Sequence, residues 1–239
     1  MSSAIPGFHE LRIYKIEPGR VQNMVERFQG GLSWLFPRHG VNVIGGWCGI
    51  IGPENANFVY LMHWRSFEER QAAFTAFAAD PDWHRVRKET NAGSEFLEEF
   101  EIHLLQPFLS HGLDRALPFD NPDAVHELTI YPGKTGMFGP IRDRMTEYEL
   151  PQRERMGART LGAFDALTGP RLPTALSLVE WPNLTAWQQA QVAPVARQAL
   201  IDRVADEKSR HGRQALGRAT QYVLEPVRVD WAPIERTRN

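Results

Sequence analysis

Apolar and polar side chains alternate near the start of the chain, where residues 8–14 read FHELRIY. This alternation predicts a β-strand, with odd-numbered residues on one face and even-numbered residues on the other. Pro18-Gly19 breaks the strand, and apolar residues then recur at steps of three and four, as in an amphipathic helix over about residues 21–35. We expect this helix to end at Pro37 and Gly40.

The pattern from residue 41 to about residue 106 completes one structural unit. Two β-rich runs, 41–51 and 58–65, predict a hairpin. Ser66 has the residue type and position of a helix N-cap, and the helix that it starts is expected to reach about residue 88, with a jog where Asp80-Pro81 removes a backbone donor. A last strand is predicted over 99–106. The order β-α-β-β-α-β is that of the ferredoxin-like fold.

The whole pattern occurs twice. The segment 125–131, VHELTIY, repeats 8–14 at a displacement of 117 positions, and this displacement persists as far as the pair Trp64 and Trp181. A repeat of this length predicts duplicated domains. We therefore expect an α+β protein of two tandem ferredoxin-like βαββαβ domains, 1–109 and 124–239, joined by a linker at 110–123. Because each sheet has helices on one side only, the two sheets should pack against each other about a pseudo-twofold axis.

The composition is that of an ordinary globular protein, with 239 residues of which 42% are hydrophobic and 23% charged. A formal net charge of -2 gives no electrostatic reason to bind nucleic acid or an anionic membrane. Cys48 is the sole cysteine, which excludes an intramolecular disulfide and cysteine-rich metal motifs. The first residues lack the features of a secretory signal, and no apolar run is long enough to span a membrane. We expect a cytoplasmic protein.

Several short motifs of the first repeat together resemble the NIPSNAP family. They occur in order with suitable gaps: 10–14 ELRIY, Pro18-Gly19, 45–47 GGW, 66–70 SFEER and 80–83 DPDW. The second repeat resembles a degenerate copy, because Thr129 replaces Arg12 and the DPDW segment is missing. The resemblance to tandem NIPSNAP domains implies a dimeric α+β barrel formed within one chain. Other families on that fold include monooxygenases that need no cofactor, haem-degrading monooxygenases, isomerases and cyclases. Likeness of fold alone does not assign one of these activities to a protein.

The strongest catalytic candidates are Glu10, Arg12 and Tyr14, which alternation places on one strand face about 7 Å apart in succession. Arginine can hold an anionic oxygen, glutamate can act as a base, and tyrosine can donate a proton. The alternative is an internal salt bridge with a structural tyrosine. Glu and Tyr recur in the second repeat, which favours structure for those two, whereas Arg12 is replaced by Thr129.

Four aromatic or flexible side chains of the predicted hairpin are substrate-binding candidates: Trp47, Tyr60, Met62 and Trp64. Aromatic surface of this kind can stack on a planar ligand, although core packing explains it equally well. The matching residues of the second repeat are smaller as a set, Phe164, Ser177, Val179 and Trp181. The two halves therefore cannot enclose the same cavity, and we expect a single or very unequal pocket in the first half, between its sheet and its helices.

His103, with Glu101 on the same strand face, is the candidate acid or base. Its counterpart is Tyr222, because the second copy gains two residues in its last third and the displacement there is 119. The alternative is a hydrogen-bonded structural histidine. His84 lies on the second helix, where some relatives on this fold place a haem ligand, so haem binding is a further alternative. No histidines have the spacing of a metal site, and no glycine-rich loop has a dinucleotide fingerprint. We expect neither a metal nor an organic cofactor.

The sequence favours an enzyme that acts on a small apolar or aromatic molecule, by cofactor-independent oxygenation or by a proton-transfer-driven rearrangement or cyclisation. The alternatives are a non-catalytic protein that binds a ligand or another protein, and a haem protein. The expected partner is the small-molecule substrate, and a homodimer is possible. The discriminating feature is whether Glu10, Arg12, Tyr14 and His103 converge on a cavity or are fully paired with one another.

Overall fold

The computed structural model describes residues 7–53, 57–111 and 113–234, without the side chains of 194–197. The strands of this described part are β1 Phe8–Ile16, β2 Asn42–Ile51, β3 Asn57–Trp64, β4 Leu97–Ser110, β5 Val125–Pro132, β6 Arg159–Ala166, β7 Thr174–Trp181 and β8 Thr220–Pro226. The helices are α1 Val21–Arg27, α2 Ser33–Arg38, α3 Phe67–Ala79, α4 Pro81–Asn91, α5 Phe138–Arg144, α6 Leu150–Arg155, α7 Leu184–Gln191 and α8 Pro194–His211. The outer ends of the predicted domains, 1–6 and 235–239, lie outside the described residues, as do Gly112, Glu54 and Asn55.

The strands form one closed antiparallel barrel, in the order β1-β3-β2-β8-β5-β7-β6-β4. Within the first half the spatial order is β4-β1-β3-β2, and the second half repeats it as β8-β5-β7-β6. The halves join at two equivalent seams, where β2 pairs with β8 and β4 pairs with β6. A mixed α/β chain with a closed eight-stranded barrel is therefore confirmed. The two sheets do more than face each other, because hydrogen bonds along both edges make them one sheet.

Strand alternation sorts the side chains into an inner and an outer layer. Leu11, Ile13 and Leu128 belong to an apolar cluster inside the barrel, to which both halves contribute. The middle of the barrel is packed so closely that a void of only about 10 Å³ is left there. Outside the barrel, each half packs its own helices on its own sheet and builds a separate core.

One end of the barrel is closed by the segment that the sequence predicts as a linker. Leu113 is fully buried in the inner cluster, and its carbonyl oxygen accepts a hydrogen bond of 2.7 Å from His9 Nε2. The Leu117 amide donates to the Ile44 carbonyl at 2.7 Å, and Phe119 packs against the Trp47 ring. Residues 113–119 therefore act as a plug, and this name is kept below.

The helical predictions need two corrections. Pro37 does not end the first helix, because it lies in the last turn of α2, and the helix ends with Gly40 at a φ of +72°. The jog predicted at Asp80-Pro81 is a full break into two helices, since Asp80 adopts an extended backbone (ψ 123°) and caps α4 by accepting from the Asp82 amide. Ser66 is confirmed as an N-cap, with its hydroxyl accepting from the Glu69 amide at 3.2 Å.

The chain after β8 returns to the first half. The Val227 amide donates to Gly46, and the Ala232 amide donates to Ser33 at 3.0 Å. Trp231 packs edge-on against Phe28, which lies in a π-helical turn between α1 and α2. This crossing covers the outer core of the first half with residues that follow the second, so the halves are interlocked beyond the barrel seams.

Candidate functional site

The Glu10 carboxylate is fully buried and saturated with hydrogen bonds on the outer side of the barrel. It accepts from Trp64 Nε1 at 3.0 Å, from Arg70 Nε at 2.6 Å and from Arg12 Nε at 2.7 Å. Burial raises the pKa of Glu10, but the hydrogen bonds from Arg70 and Arg12 outweigh it and hold the pKa below its ordinary value. Glu10 is therefore an ionised structural anchor, with no lone pair left to accept a substrate proton.

Arg12 and Tyr14 complete this paired cluster. Arg12 Nη1 donates to the hydroxyls of Tyr14 at 3.2 Å and Tyr60 at 3.1 Å, and the two hydroxyls are 2.8 Å apart. The Arg12 guanidinium also stacks 4.4 Å from the centre of the Phe74 ring. Burial raises the pKa of Tyr60 well above its usual range. The sequence left open whether these side chains converge on a cavity or pair with one another. The described side chains of this cluster pair with one another.

The second half builds the same centre with different cations. Glu127 accepts from Trp181 Nε1 at 3.1 Å, from Trp187 Nε1 at 3.1 Å and from Arg153 Nε at 2.6 Å. Thr129 donates to the same carboxylate at 2.9 Å, from the position of Arg12. The loss of Arg12 in the second repeat is therefore compensated by Arg153 of α6, and it does not by itself identify Arg12 as catalytic.

The predicted substrate-binding side chains do not share one surface. Tyr60, Met62 and Trp64 lie in the outer core beneath the helices of the first half, whereas Trp47 lies inside the barrel. All four are at most 2% exposed. The reason is a bulge between Val43 and Gly45, which interrupts the alternation of β2 and turns Trp47 to the inner face. The structure therefore separates Trp47 from the other three.

A cavity of about 350 Å³ lies at the open end of the barrel, opposite the plug. Pockets for small organic molecules range over roughly 300–1,000 Å³. Both halves line it with inward-facing residues: Ile13, Lys15, Pro53, Asn57, Glu101, His103, Ile130, Pro132, Ala166, Pro170, Arg171, Thr174, Thr220 and Tyr222. The expected pocket between sheet and helices is thus replaced by one inside the barrel.

His103 is the one predicted catalytic residue that this cavity contains. It lies on β4 opposite Leu11, it is 4% exposed, and its Nε2 is 3.2 Å from Glu101 Oε2. Because β4 turns His103 inwards, the sheet separates it from the cluster of Glu10, Arg12 and Tyr14 on the outer face. The four predicted catalytic side chains therefore do not converge.

Gly169 approaches the His103 ring closely on the side of Nδ1. Its φ is +140°, a conformation that residues with a side chain rarely adopt, and a Cβ there would lie 3.1 Å from His103 Nδ1. Gly52 makes the equivalent approach to the Tyr222 ring. The two Gly-Pro turns, which share the displacement of 117 positions, thus form opposite sides of the cavity mouth.

Sequence reasoning missed the cavity residues Lys15 and Arg171. Lys15 Nζ is 2.9 Å from Glu99 Oε2 at the rim, while Arg171 is exposed and forms no ion pair with the described residues. Alternation along β1 gives Lys15 the same face as His9, Leu11 and Ile13. Arg171 belongs to a turn without periodicity, so no pattern in the sequence indicates its direction.

Other candidates lie away from this cavity. Burial raises the pKa of the Cys48 thiol to about 11, with Glu225 adding to the effect, so it is a poor nucleophile. His84 is exposed on α4. In the part of the chain that the structure describes, no cluster of three or more His, Cys, Asp or Glu side chains could hold a metal ion. None of the described helices is long and apolar enough to cross a membrane.

Comparison with known proteins gives a family for the first half. Residues 9–109 match the NIPSNAP family, which confirms the resemblance drawn from the motifs of the first repeat. No curated protein sequence matches the chain significantly.

Solved structures match the fold over nearly the whole chain. One named as an anthrone oxidase-like protein has a TM-score of 0.63 and 15% identity, covering 94% of this chain and 92% of its own. A putative monooxygenase from Fusobacterium nucleatum has a TM-score of 0.59 and 8% identity, covering 95% and 94%. Another from Lactobacillus acidophilus NCFM has a TM-score of 0.52 and 9% identity, covering 96% and 99%. At these identities the likeness shows a shared barrel fold.

Proposed function

We propose that this chain, whose residues 9–109 match the NIPSNAP family, is an enzyme that binds a small, largely apolar or aromatic molecule in the open end of the barrel. His103 removes a proton from that molecule. The observation that carries the proposal is the placement of His103: a buried imidazole, hydrogen-bonded to a carboxylate, at the inner end of a cavity of about 350 Å³. Buried acid–base groups in a cavity of ligand size are typical of active sites.

The contacts of His103 assign a role to each of its nitrogens. With Nε2–H donating to Glu101 Oε2 at 3.2 Å, Nδ1 carries the lone pair, and it lies beside Gly169, which has no side chain to cover it. Nδ1 therefore accepts the substrate proton, and the Glu101 carboxylate stabilises the imidazolium that forms. Glu101 is a positioning residue in this scheme.

The substrate anion left by proton removal has two outcomes, and both need no organic cofactor. In an oxygenation, a CH2 group loses two hydrogens and gains one oxygen atom of O2 as a ketone, while the second oxygen atom leaves with both hydrogens as water. In a rearrangement, the proton returns to a different atom and no oxidant is consumed. The names of the solved structures with this fold, an anthrone oxidase-like protein and putative monooxygenases, support the first outcome as a starting point.

The fold itself supports an origin by duplication. The strand order 4-1-3-2 occurs in both halves, and the seams between the halves are equivalent. This order is that of the ferredoxin-like unit, so we infer that two such units were fused and that their barrel, elsewhere formed by two chains, closes here within one.

Turnover of anthrone and related enolisable aromatic ketones tests the function, with O2 uptake and substrate absorbance recorded under air and under nitrogen. We expect His103→Gln to lower kcat by at least about 100-fold and Glu101→Gln by about 10-fold, as typical for a general base and its positioning group. His84→Gln, on the exposed face of α4, is the matched control and should keep the wild-type rate. Full activity of His103→Gln would remove the proposal. Ligand binding without turnover of any substrate would favour the non-catalytic alternative.

A further inference from the structure

The cavity is built from matched pairs of residues, one from each half. Ile13 and Ile130 are equivalent, as are Pro53 and Pro170, and the other pairs are unequal: Lys15 with Pro132, Asn57 with Thr174, Glu101 with Thr220, and His103 with Tyr222. The wall from the first half therefore carries the ionisable groups, whereas the strands of the second half contribute uncharged side chains. Both halves thus line the cavity at equivalent positions, but the strand residues that can carry charge come from the first half.

Strand register gives each lining residue a depth. His103 is opposite Leu11, and Tyr222 is opposite Leu128, so these two side chains form the floor above the packed middle of the barrel. Glu101 lies one step higher, opposite Ile13, and Glu99 lies at the rim, opposite Lys15. Lys15 lies four steps along the strand from Leu11, which corresponds to roughly 13 Å. Apolar side chains line the intermediate depth, where Ile13 and Ile130 lie.

One cation at the cavity mouth has no charged partner among the described residues. Lys15 pairs with Glu99 at 2.9 Å, and Glu101 pairs with His103 at 3.2 Å. Arg171 also lines the cavity, and it forms no ion pair with the described residues. A planar guanidinium binds a carboxylate through two parallel hydrogen bonds. The group that Arg171 fits is therefore a carboxylate or a similar planar anion at the rim.

We infer that the ligand is an elongated aromatic acid, with its anionic group at Arg171 and its ring system extending inwards to His103 and Tyr222. This inference rests on the proposed function for the location of the site and adds the class and direction of the substrate. An engineered cavity of about 150 Å³ holds one benzene ring. A cavity of about 350 Å³ accordingly holds roughly two fused rings, and the depth of the site fits their length. The reacting carbon lies at the end remote from the acid.

Three probes of one shape and different charge test the inference: 2-naphthoate, 2-naphthamide and 2-naphthylmethylamine. Calorimetry gives their dissociation constants, and amide NMR shifts of Ala166 and Tyr222 report occupancy of the cavity. We expect 2-naphthoate to bind at least about 10-fold more tightly than the amide, with the amine weakest. Arg171→Gln should abolish the preference for the carboxylate and leave amide binding unchanged. Arg85→Gln, which alters an exposed arginine of α4, is the control and should change nothing.

The outcomes separate this inference from the proposed function. Equal affinity for the carboxylate and the amide, or an unchanged preference in Arg171→Gln, would overturn the assignment of an acidic ligand. Failure of all three probes to shift Ala166 and Tyr222 would overturn both the inference and the site. Binding of 2-naphthoate that depends on Arg171, together with undiminished turnover in His103→Gln, would sustain the ligand class and remove the catalytic role of His103.

Discussion

Trp187 Nε1 donates a hydrogen bond of 3.1 Å to Glu127, from the position at which the first half places Arg70 against Glu10. The two carboxylates are thus held by the same geometry and by different chemistry. In the first half Trp64 and two arginines surround Glu10, while in the second half two tryptophans, a threonine and one arginine surround Glu127. A buried carboxylate that keeps its tryptophan and survives a change of its other partners serves the fold, because it ties the first strand of each half to the helices above it.

The first prediction concerns the stability of this centre. Glu10→Gln leaves Arg12 and Arg70 without their counter-charge in a buried site, and breaking a buried pair in this way costs about 3–5 kcal/mol. Urea denaturation measures the loss in the free energy of unfolding. The control is Glu89→Gln, an exposed pair with Arg85 that should change stability by less than about 0.5 kcal/mol. Equal stability of the two variants would show that the centre is not a structural anchor.

The second prediction concerns acid sensitivity at the plugged end. Burial lowers the pKa of His9 to about 4 and that of His126 to about 3, from an ordinary value of 6.5. The folded protein therefore keeps both imidazoles neutral. Their contribution to stability is complete above pH 6.5 and is lost as the pH falls from 6.5 towards 4. Each histidine should lower the free energy of unfolding by about 1.4 kcal/mol per pH unit in that window.

The charged groups that face these histidines do not overcome the effect of burial on their pKa values. His63 opposes protonation of His9, and Asp114 and the Leu113 carbonyl favour it without overcoming burial. Arg159 opposes protonation of His126, whose Nε2 is 3.6 Å from Glu180 Oε2. His126→Phe, packed against Trp47 and Phe119, should flatten the pH dependence by about half. A slope identical to that of the wild type would contradict the assignment.

The third prediction concerns the Nδ1 side of His103. Gly169→Ala introduces a Cβ 3.1 Å from Nδ1 and forces a side chain onto a φ of +140°, at a cost of about 1–3 kcal/mol. The added methyl crowds the nitrogen that accepts the proton, so kcat should fall. Assaying the variant well below its Tm separates this fall in kcat from any loss of folded protein. Gly139→Ala, in α5 with open space around it, should be as active as the wild type. Unchanged kcat in Gly169→Ala would show that Nδ1 does not meet the substrate.

The fourth prediction fills the cavity directly. Thr220→Trp adds an indole at the intermediate depth, opposite Ile130, and should block probe binding and turnover while the barrel remains folded. Thr75→Trp, on the outer surface of α3, is the control. Circular dichroism reports folding, and calorimetry with 2-naphthoate reports occupancy. Undiminished affinity in Thr220→Trp would place the binding site elsewhere.

The repeat predicts much of the fold, because a displacement of 117 positions, which becomes 119 at the last strand, relates the strands of one half to those of the other. The cavity was not predictable in the same way. Both faces of β1 mix polar and apolar residues, so alternation alone does not say that Glu10 faces the helices and His9 the barrel interior. The bulge before Gly45 reverses the direction of Trp47, and a bulge leaves no periodic signal in a sequence.

The plug and the cavity mouth are formed by irregular segments, for which hydrophobic periodicity carries no information. The sequence marks 110–123 as a linker through its glycine and prolines, but the burial of Leu113 depends on a barrel end that only the folded chain creates. The Gly-Pro turns are visible as a repeated motif, yet their approach to His103 and Tyr222 follows from strand register. The position of the site therefore depends on pairing between distant strands, whereas the local sequence pattern determines where helices and strands form.

Imidazole nitrogen NMR of the uniformly labelled protein, recorded while 2-naphthoate is added, tests the central claim most directly. At saturation we expect the Nδ1 and Nε2 resonances of His103 to move, while those of His84 on the outside of α4 remain in place. The probe would then be located beside the buried imidazole at the inner end of the cavity. Saturable binding of 2-naphthoate that leaves the His103 resonances unmoved would contradict the account.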